Sequence, residues 1–348
     1  MDKKIEVGIL GATGTVGQRF LQLLEDHPWF TATWLGASDR SAGKRYRDAM
    51  SWQLEGAPPE RAAELTVEEC VPGRGPRLVF SSMASNLAGD IERQFAAAGH
   101  IVVSNSGHYR MAPDVPLLVP EINPEHLGLL PIQRRERGWS GAIVTNPNCA
   151  AVTLVMALAP LKRFGLKRVL VTTMQAVSGA GYPGVPSLDA LGNVIPYIGG
   201  EEEKVESEPQ KILGDLDRDS IRPLPMVVSA TCTRVPASDG HLATVSLEFE
   251  RKPGREEILE ALAGFRGLPQ ERGLPSAPRR PVHVLDAPDR PQTRKDANLE
   301  RGMAASVGRL RECPLFHWKL VALSHNTLRG AAGAALLNAE LMHSEGLL

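Results

Sequence analysis

The chain has 348 residues, with 39 Lys and Arg against 40 Asp and Glu. A balance this close to neutral leaves no electrostatic footprint for nucleic acid or an anionic membrane surface, so neither is expected as a partner. The length allows two domains with a large core, and no apolar run is long enough to span a membrane.

Met1-Asp2-Lys3-Lys4 runs straight into a strand pattern, so no signal peptide is expected. Four cysteines (Cys70, Cys149, Cys232 and Cys313) stand far apart with no CxxC pair. That usage fits a reducing, cytoplasmic compartment and argues against a disulfide framework or a thiolate zinc site. No metal site is expected.

Ile5 to Leu10 predicts a first strand. Gly11-Ala12-Thr13-Gly14-Thr15-Val16-Gly17 follows, and then an amphipathic segment from Gln18 to Glu25. Strand, glycine turn and helix in that order let the backbone approach a pyrophosphate at the helix N-terminus. The spacing is GxxGxxG rather than GxGxxG, and a purely structural turn is the competing reading. A second strand, Thr31 to Ala37, ends in Ser38-Asp39-Arg40-Ser41. Two hydroxyls and a guanidinium suit a 2′-phosphate better than the lone acid of an NAD site, so NADP is expected. Asp39 pulls the other way, and an exposed polar loop is the alternative.

Residues 43 to 75 show no clear period. Leu78 to Ser81 predicts a strand, Ser82 to Asn86 a loop at its carboxyl end, Asp90 to Ala98 a helix and Ile101 to Ser104 a strand. Pro113, Pro116, Pro120 and Pro124 break the next segment into a loop. Ala142 to Thr145 is a further strand. Alternation of this kind predicts a doubly wound parallel sheet up to about residue 145.

Asn146-Pro147-Asn148-Cys149 is a tight turn before the apolar run Ala151 to Leu161, which places Cys149 at the N-terminus of a buried helix. Free N–H groups and the positive dipole end there favour a thiolate, and the same groups can hold an oxyanion. Without partners, a buried structural cysteine would be the simpler reading.

Lys167 to Ala176 is read as a strand, with Gln175 near its end and a close-approach turn at Ser178-Gly179-Ala180-Gly181. Glu201-Glu202-Glu203-Lys204 opens a charged segment that, taken alone, reads as a solvated helix face. Met226 to Arg234 and His241 to Arg251 alternate like antiparallel strands. Residues 267 to 300 are rich in Pro and Arg and read as surface loops or oligomer contacts. Lys319 to Leu323 is a strand, and Asn326 to Met342 has a helical pattern.

Taken together, these stretches resemble aspartate-semialdehyde dehydrogenase, in its archaeal and fungal branch. The matching residues are Gly11-Ala12-Thr13-Gly14, Ser104-Asn105-Ser106 with Arg110, Asn146 to Cys149, Met174 to Gly181 and Ile195-Pro196-Tyr197-Ile198. They continue with Arg234-Val235-Pro236, Gly240-His241 and Asn326 to Gly333, in order over nearly the whole chain.

The resemblance implies an α/β fold: an N-terminal Rossmann-like doubly wound sheet plus an α+β catalytic and dimerisation domain. Residues 1–149, rejoined by the C-terminal helix 326–348, would bind NADP, and residues 150–325 would form the second domain. It implies reduction of β-aspartyl phosphate by NADPH to aspartate semialdehyde and phosphate, in the route to lysine, threonine and methionine. It also implies a homodimer or homotetramer.

By the same resemblance Cys149 attacks the acyl carbon, for which a thiolate suits and a thioester accepts hydride well. His241 is the general acid/base and Gln175 orients the acyl group. Arg234 clamps the α-carboxylate and Glu201 faces the ammonium, though Glu202 and Glu203 leave that register open. Lys204 and Arg110 hold the phosphate, with Asn148 near it. Ser38, Arg40 and Ser41 meet the 2′-phosphate, and Asn326 the nicotinamide. Gly11, Thr13, Gly14, Thr15, Val16 and Gly17 line the pyrophosphate turn, and Ser178 and Gly179 lie beside the cofactor.

Three alternatives remain at this point. N-acetyl-glutamyl-phosphate reductase shares the cysteine but usually has a glycine before it and an aromatic after it, unlike Asn148 and Ala150. Malonyl-CoA reductase resembles the same branch, but its substrate offers no ammonium to an acid. A non-catalytic NADP-binding subunit is the third, against the retention of both Cys149 and His241.

Overall fold

The computed structural model describes residues 4–348; the charged start Met1 to Lys3 lies outside them. Two six-stranded sheets organise a mixed α/β chain.

The first sheet contains β1 (Ile5–Leu10), β2 (Phe30–Ala37), β3 (Val67–Glu69), β4 (Leu78–Ser81), β5 (Ile101–Ser104) and β6 (Ala142–Thr145). Its order is β3-β2-β1-β4-β5-β6, and every pairing is parallel. Strands buried on both faces read as continuous apolar runs rather than as alternation. Accordingly Ile9, Phe80, Val103 and Val144 enter one apolar cluster while Leu10, Val79, Val102 and Ile143 enter another. The order reverses between β1 and β4, and open parallel sheets bind ligands at the carboxyl end of such a switch point.

Several boundaries differ from expectation. The first helix starts earlier, spanning Thr15–Leu24, and the helix before β5 spans Ser85–Ala97, so Asn86 is helical and not in a loop. The unplaced stretch 43–75 contains two one-turn helices and the edge strand β3. A helix at Leu129–Arg137 has no counterpart in the sequence reading.

The second sheet contains β7 (Leu166–Gln175), then β10 (Val227–Arg234), β11 (His241–Phe249), β12 (Val282–Leu285), β13 (Ala305–Glu312) and β14 (Trp318–Ser324). Between β7 and β10 lies a two-stranded hairpin, β8 (Asp215–Asp217) and β9 (Ser220–Arg222). The sheet order is β10-β7-β11-β14-β13-β12. β10 and β11 do run in opposite directions, but they are not partners: β7 lies between them, parallel to β10 and antiparallel to β11. The Pro/Arg-rich stretch is also more than loop, since it supplies edge strand β12, and β13 has no counterpart in the sequence reading.

Among the described residues, helices cover one face of this sheet. Val169, Val171, Ala243, Val245 and Leu247 pack there against the helix Cys149–Leu158, whose residues 150 to 158 are all buried. A helix that is apolar all round is a core helix, which explains its lack of amphipathic period. The final helix, Gly333–Ser344, returns to the first sheet and packs with Ala335, Leu336, Leu337 and Leu341 in the core of β1 and β4.

Candidate active site

A cleft of about 760 Å³ lies where the two sheets meet. One wall is the turn Thr13 to Val16 with Ser82 to Ala84, at the switch point. The other contains Asn148, Cys149, Ser178 to Tyr182, Asn326 and Gly330.

The cofactor side is built from main chain. Gly14 caps the Thr15–Leu24 helix without a side-chain hydrogen bond, so the first N–H groups of that helix stay available to an anion. A Cβ at Gly17 would lie 2.4 Å from the Gly11 carbonyl oxygen, so only glycine lets the helix pack this tightly on the turn. Tyr46 Oη donates to the Ala12 carbonyl at 2.9 Å and holds the turn from beneath. These features fit a dinucleotide pyrophosphate. Ser38, Arg40 and Ser41 lie on the surface loop that leaves β2, outside the cleft walls, with Ser41 N–H bonded to Ser38 O at 2.9 Å. The Arg40 side chain has no hydrogen-bond or ion-pair partner among the described residues.

The other side is built from buried polar side chains. Sheet register brings three of them together. Arg234 pairs with Gln175 across β10 and β7, and Leu242 pairs with Met174, so His241 stands one step beyond at the same end. A Cβ at Gly179 would lie 2.9 Å from Arg234 Nη1 and 2.9 Å from His241 Cε1, which puts both groups against the cleft floor. Arg234 Nη1 donates to the Ala176 carbonyl at 2.7 Å. Gln175 Nε2 donates to Thr173 Oγ1 at 3.3 Å. Asn326 ties two turns of this side together, donating to Ser178 Oγ and accepting from Gly240 N–H, each at 2.8 Å.

His241 has a defined tautomer. Ala176 N–H donates to its Nδ1 at 3.1 Å, so the neutral ring carries its hydrogen on Nε2, which is buried without a partner. Burial, helped by the charge of Arg234, pushes its pKa down to about 3. The resting imidazole is therefore neutral and offers a donor.

Cys149 corrects one expectation. Its thiol is pushed up to about 12, chiefly by burial and secondly by Glu201, against the opposing charges of Arg110 and Arg234. The resting group is a thiol, because desolvation outweighs the helix terminus. A second correction concerns the oxyanion. Asn148 Oδ1 accepts the N–H groups of Ala150 at 2.9 Å and Ala151 at 3.1 Å, so two of the first helix donors are already capped.

The acids of the run have different partners on the helix Glu201–Ile212. Glu201 Oε1 accepts from Asn148 Nδ2 at 2.8 Å, and Lys204 Nζ lies 3.4 Å from Glu201 Oε2. Glu202 instead accepts from Cys232 N–H at 2.9 Å and Glu206 from Ala230 N–H at 3.0 Å, satisfying the outer edge of β10. Arg110 lines the cleft, is 8% exposed, and leaves its Nε without a partner.

Three features escaped the sequence reading. A Cβ at Gly330 would lie 2.6 Å from Cys149 Cβ, so only glycine lets this turn close over the thiol. Behind it, Arg329 is fully buried and makes a bidentate pair with Glu121, both bonds 2.7 Å. Glu208, also buried, accepts from Asn148 N–H and from Arg110. Burial pushes its carboxyl above the usual range, opposed by Arg110 and that N–H.

Comparison with known proteins agrees with this arrangement. The semialdehyde dehydrogenase NAD binding domain matches residues 6–130, and the semialdehyde dehydrogenase dimerisation domain matches residues 158–329. Aspartate-semialdehyde dehydrogenase of Methanothermobacter thermautotrophicus is 49% identical over 97% of this chain and 99% of its own. The Aspergillus fumigatus enzyme of the same name is 48% identical over 99% of both chains. A crystal structure of the Candida albicans enzyme with NADP superposes with a TM-score of 0.91 at 42% identity, over 99% of this chain and 100% of that one. The chain belongs to the aspartate-semialdehyde dehydrogenase family.

Proposed function

We propose that this enzyme reduces β-aspartyl phosphate with NADPH to aspartate semialdehyde and phosphate, and runs the reverse reaction when supplied with phosphate, through a thioester on Cys149. The observation that carries the reading is one cleft lined by Cys149, Arg110 and the turn Thr13 to Val16, with Arg234 and His241 against its Gly179 and Gln175 beside Arg234 in the sheet.

Bound NADPH supplies the hydride; the chain supplies binding and proton control. Thr13 to Gly17 receive the pyrophosphate, Asn326, Ser178 and Gly179 flank the nicotinamide, and Arg40 with Ser38 and Ser41 meets the 2′-phosphate. Arg234 holds the α-carboxylate and Glu201 the ammonium. Arg110 and Lys204 take the phosphate, next to Asn148. Cys149 Sγ bonds to the acyl carbon as the phosphate leaves with the C–O bonding pair. His241 Nε2–H donates to the acyl oxygen as it gains negative charge, and Gln175 orients that group. The thiol form of resting Cys149 implies that its proton leaves only once the substrate occupies the site, and it departs with the leaving phosphate, which is released as hydrogen phosphate. When the thioester carbon is reduced, Cys149 Sγ leaves with the C–S bonding pair and takes up one proton from solvent, which frees the aldehyde and restores the thiol.

Residues 1–149 with 326–348 form the cofactor domain in this reading, and 150–325 the catalytic and dimerisation domain. Dimerisation uses the face of the second sheet that no helix among the described residues covers. There lie Leu170, Thr172, Met174, Thr231, Thr244 and Ser246, with Leu170 41% exposed and the Arg168–Glu248 ion pair at one end of the face. Among the described residues no helix is long and apolar enough to cross a membrane. The free cysteines support a cytoplasmic location.

The test is NADPH formation from aspartate semialdehyde, NADP and phosphate. Phosphate-dependent turnover is expected, and Cys149→Ala loses at least about 10⁴-fold of it while still binding NADP. Normal turnover by that variant would sink the mechanism, and turnover of malonyl-CoA instead would change the substrate.

A further inference from the structure

The helix that presents Glu201 and Lys204 carries two further charges on its buried side. Glu208 is 2% exposed and Lys211 5% exposed. Three residues apart, they share one helix face.

Lys211 Nζ donates to three main-chain carbonyls, those of Arg110 at 2.7 Å, Ala112 at 2.7 Å and Val115 at 2.8 Å. Every hydrogen of the ammonium is thereby committed to one loop, the loop that carries Arg110. Glu208 works on the other side of the same residue. Its Oε1 accepts from Arg110 Nη1 at 3.1 Å and its Oε2 from Asn148 N–H at 2.6 Å. Arg110 Nη2 completes the hold by donating to the Asn105 carbonyl at 2.8 Å. The guanidinium is thus gripped at both terminal nitrogens while its Nε stays unpartnered beside the cleft.

We propose that Glu208 and Lys211 are positioning residues for the phosphate subsite. Lys211 fixes the main chain from which Arg110 springs. Glu208 sets the direction of its guanidinium and, through the same carboxylate, the main chain of Asn148, the residue that caps the Cys149 helix. One rigid helix therefore registers the phosphate donor and the nucleophile against each other. Arg carries several rotatable bonds, and a free guanidinium would lose that entropy on binding phosphate. Prior anchoring removes this loss. This inference rests on the reading of Arg110 as the phosphate-binding group.

The experiment is steady-state kinetics of full-length wild type, Glu208→Gln, Lys211→Met and Lys211→Arg, with phosphate, aspartate semialdehyde and NADP each varied. Thermal melts check that each variant folds. Glu208→Gln and Lys211→Met are expected to raise the KM for phosphate at least about tenfold, with the KM for NADP and for the semialdehyde within about twofold. Lys211→Arg keeps the charge and the donors and restores most of the loss. A merely structural role would instead lower kcat and leave the phosphate KM unchanged, and that result overturns the proposal. Should Lys211→Met fail to fold, Glu208→Gln decides alone. A wild type without phosphate-dependent turnover overturns the underlying reading and the inference with it. A normal wild type with an unaltered phosphate KM in the variants overturns only the inference.

Discussion

Main chain forms the cleft wall at the carboxyl end of the parallel sheet. Gly14 leaves helix N–H groups open, Gly17 admits the helix, and Tyr46 steadies the turn by its hydroxyl. Across the cleft, the mixed sheet offers side chains: Gln175, Arg234 and His241, each buried and each tied to main chain or to a neighbour. A main-chain wall needs glycine where the helix packs on the turn, as at Gly17, where an added Cβ would meet the Gly11 carbonyl oxygen at 2.4 Å. A side-chain wall must keep charged groups out of water, so each needs a partner already in place. Protonation states in that wall are displaced, as the high thiol of Cys149 and the low imidazole of His241 show.

The sharpest way to break this contrast is to add a methyl group where main chain meets the nucleophile. Gly330→Ala places a Cβ 2.6 Å from Cys149 Cβ, so either the turn or the thiol must move. The expected loss is about 100-fold in kcat, with NADP binding retained, measured by the phosphate-dependent assay and a cofactor titration. An unchanged kcat would mean that the turn yields freely.

A buried histidine where the two halves meet predicts acid lability: His126, in the segment Pro124–Gly128, is bonded to the Gly214 carbonyl of the second half. Burial pushes the His126 pKa from 6.5 down to about 4, and the Gly214 carbonyl bonded to Nε2 only partly opposes this. The sign follows from the lowered value. Above about pH 6.5 both folded and unfolded chains hold the ring neutral, and stability is full. As pH falls from about 6.5 to about 4, the unfolded chain takes up a proton that the folded chain refuses, and stability is lost. The loss is about 2 kcal/mol for this residue at pH 5 and about 3 kcal/mol at pH 4. Denaturant melts at pH 7.5 and 5 measure it, and His126→Gln is expected to flatten the dependence while lowering stability overall. Equal slopes in both proteins would remove His126 from the account.

The smallest effect sharpens the cofactor side. Arg40 is unpaired on the loop after β2, so Arg40→Ala is expected to raise the KM for NADP about tenfold and leave that for NAD unchanged, the worth of one charged hydrogen bond. Parallel changes with both cofactors would show that the loop does not meet the 2′-phosphate.

The parallel half of the fold was the more legible. Strands buried on both faces are short apolar runs, and β1, β4, β5 and β6 stand at the positions those runs predict. β3 was not legible, because three residues at a sheet edge carry no period. In the mixed sheet the alternation in β10 and β11 did show strands, yet it could not show that β7 separates them. β12 is only four residues long and lies at the sheet edge, and β13 beside it carries Arg309 and Arg311, so the apolar pattern fades where solvent tolerates charge.

What the chain determined locally is what short-range sterics and burial dictate: the glycine turn before the first helix, Cys149 at a helix start, and apolar strands of the parallel sheet. Those depend on neighbours in sequence, and a residue-level reading reaches them. The tertiary structure alone decided the charges. Glu201, Glu202 and Glu208 look alike as letters in a charged helix. One meets Asn148 beside the nucleophile, one caps the edge of β10, and one grips Arg110. The chain in between is 53 residues from Glu201 to Asn148, 30 from Glu202 to Cys232 and 98 from Glu208 to Arg110. The thiol state of Cys149 was decided in the same way: the helix terminus favoured a thiolate, but desolvation by distant segments folded over it was the larger effect.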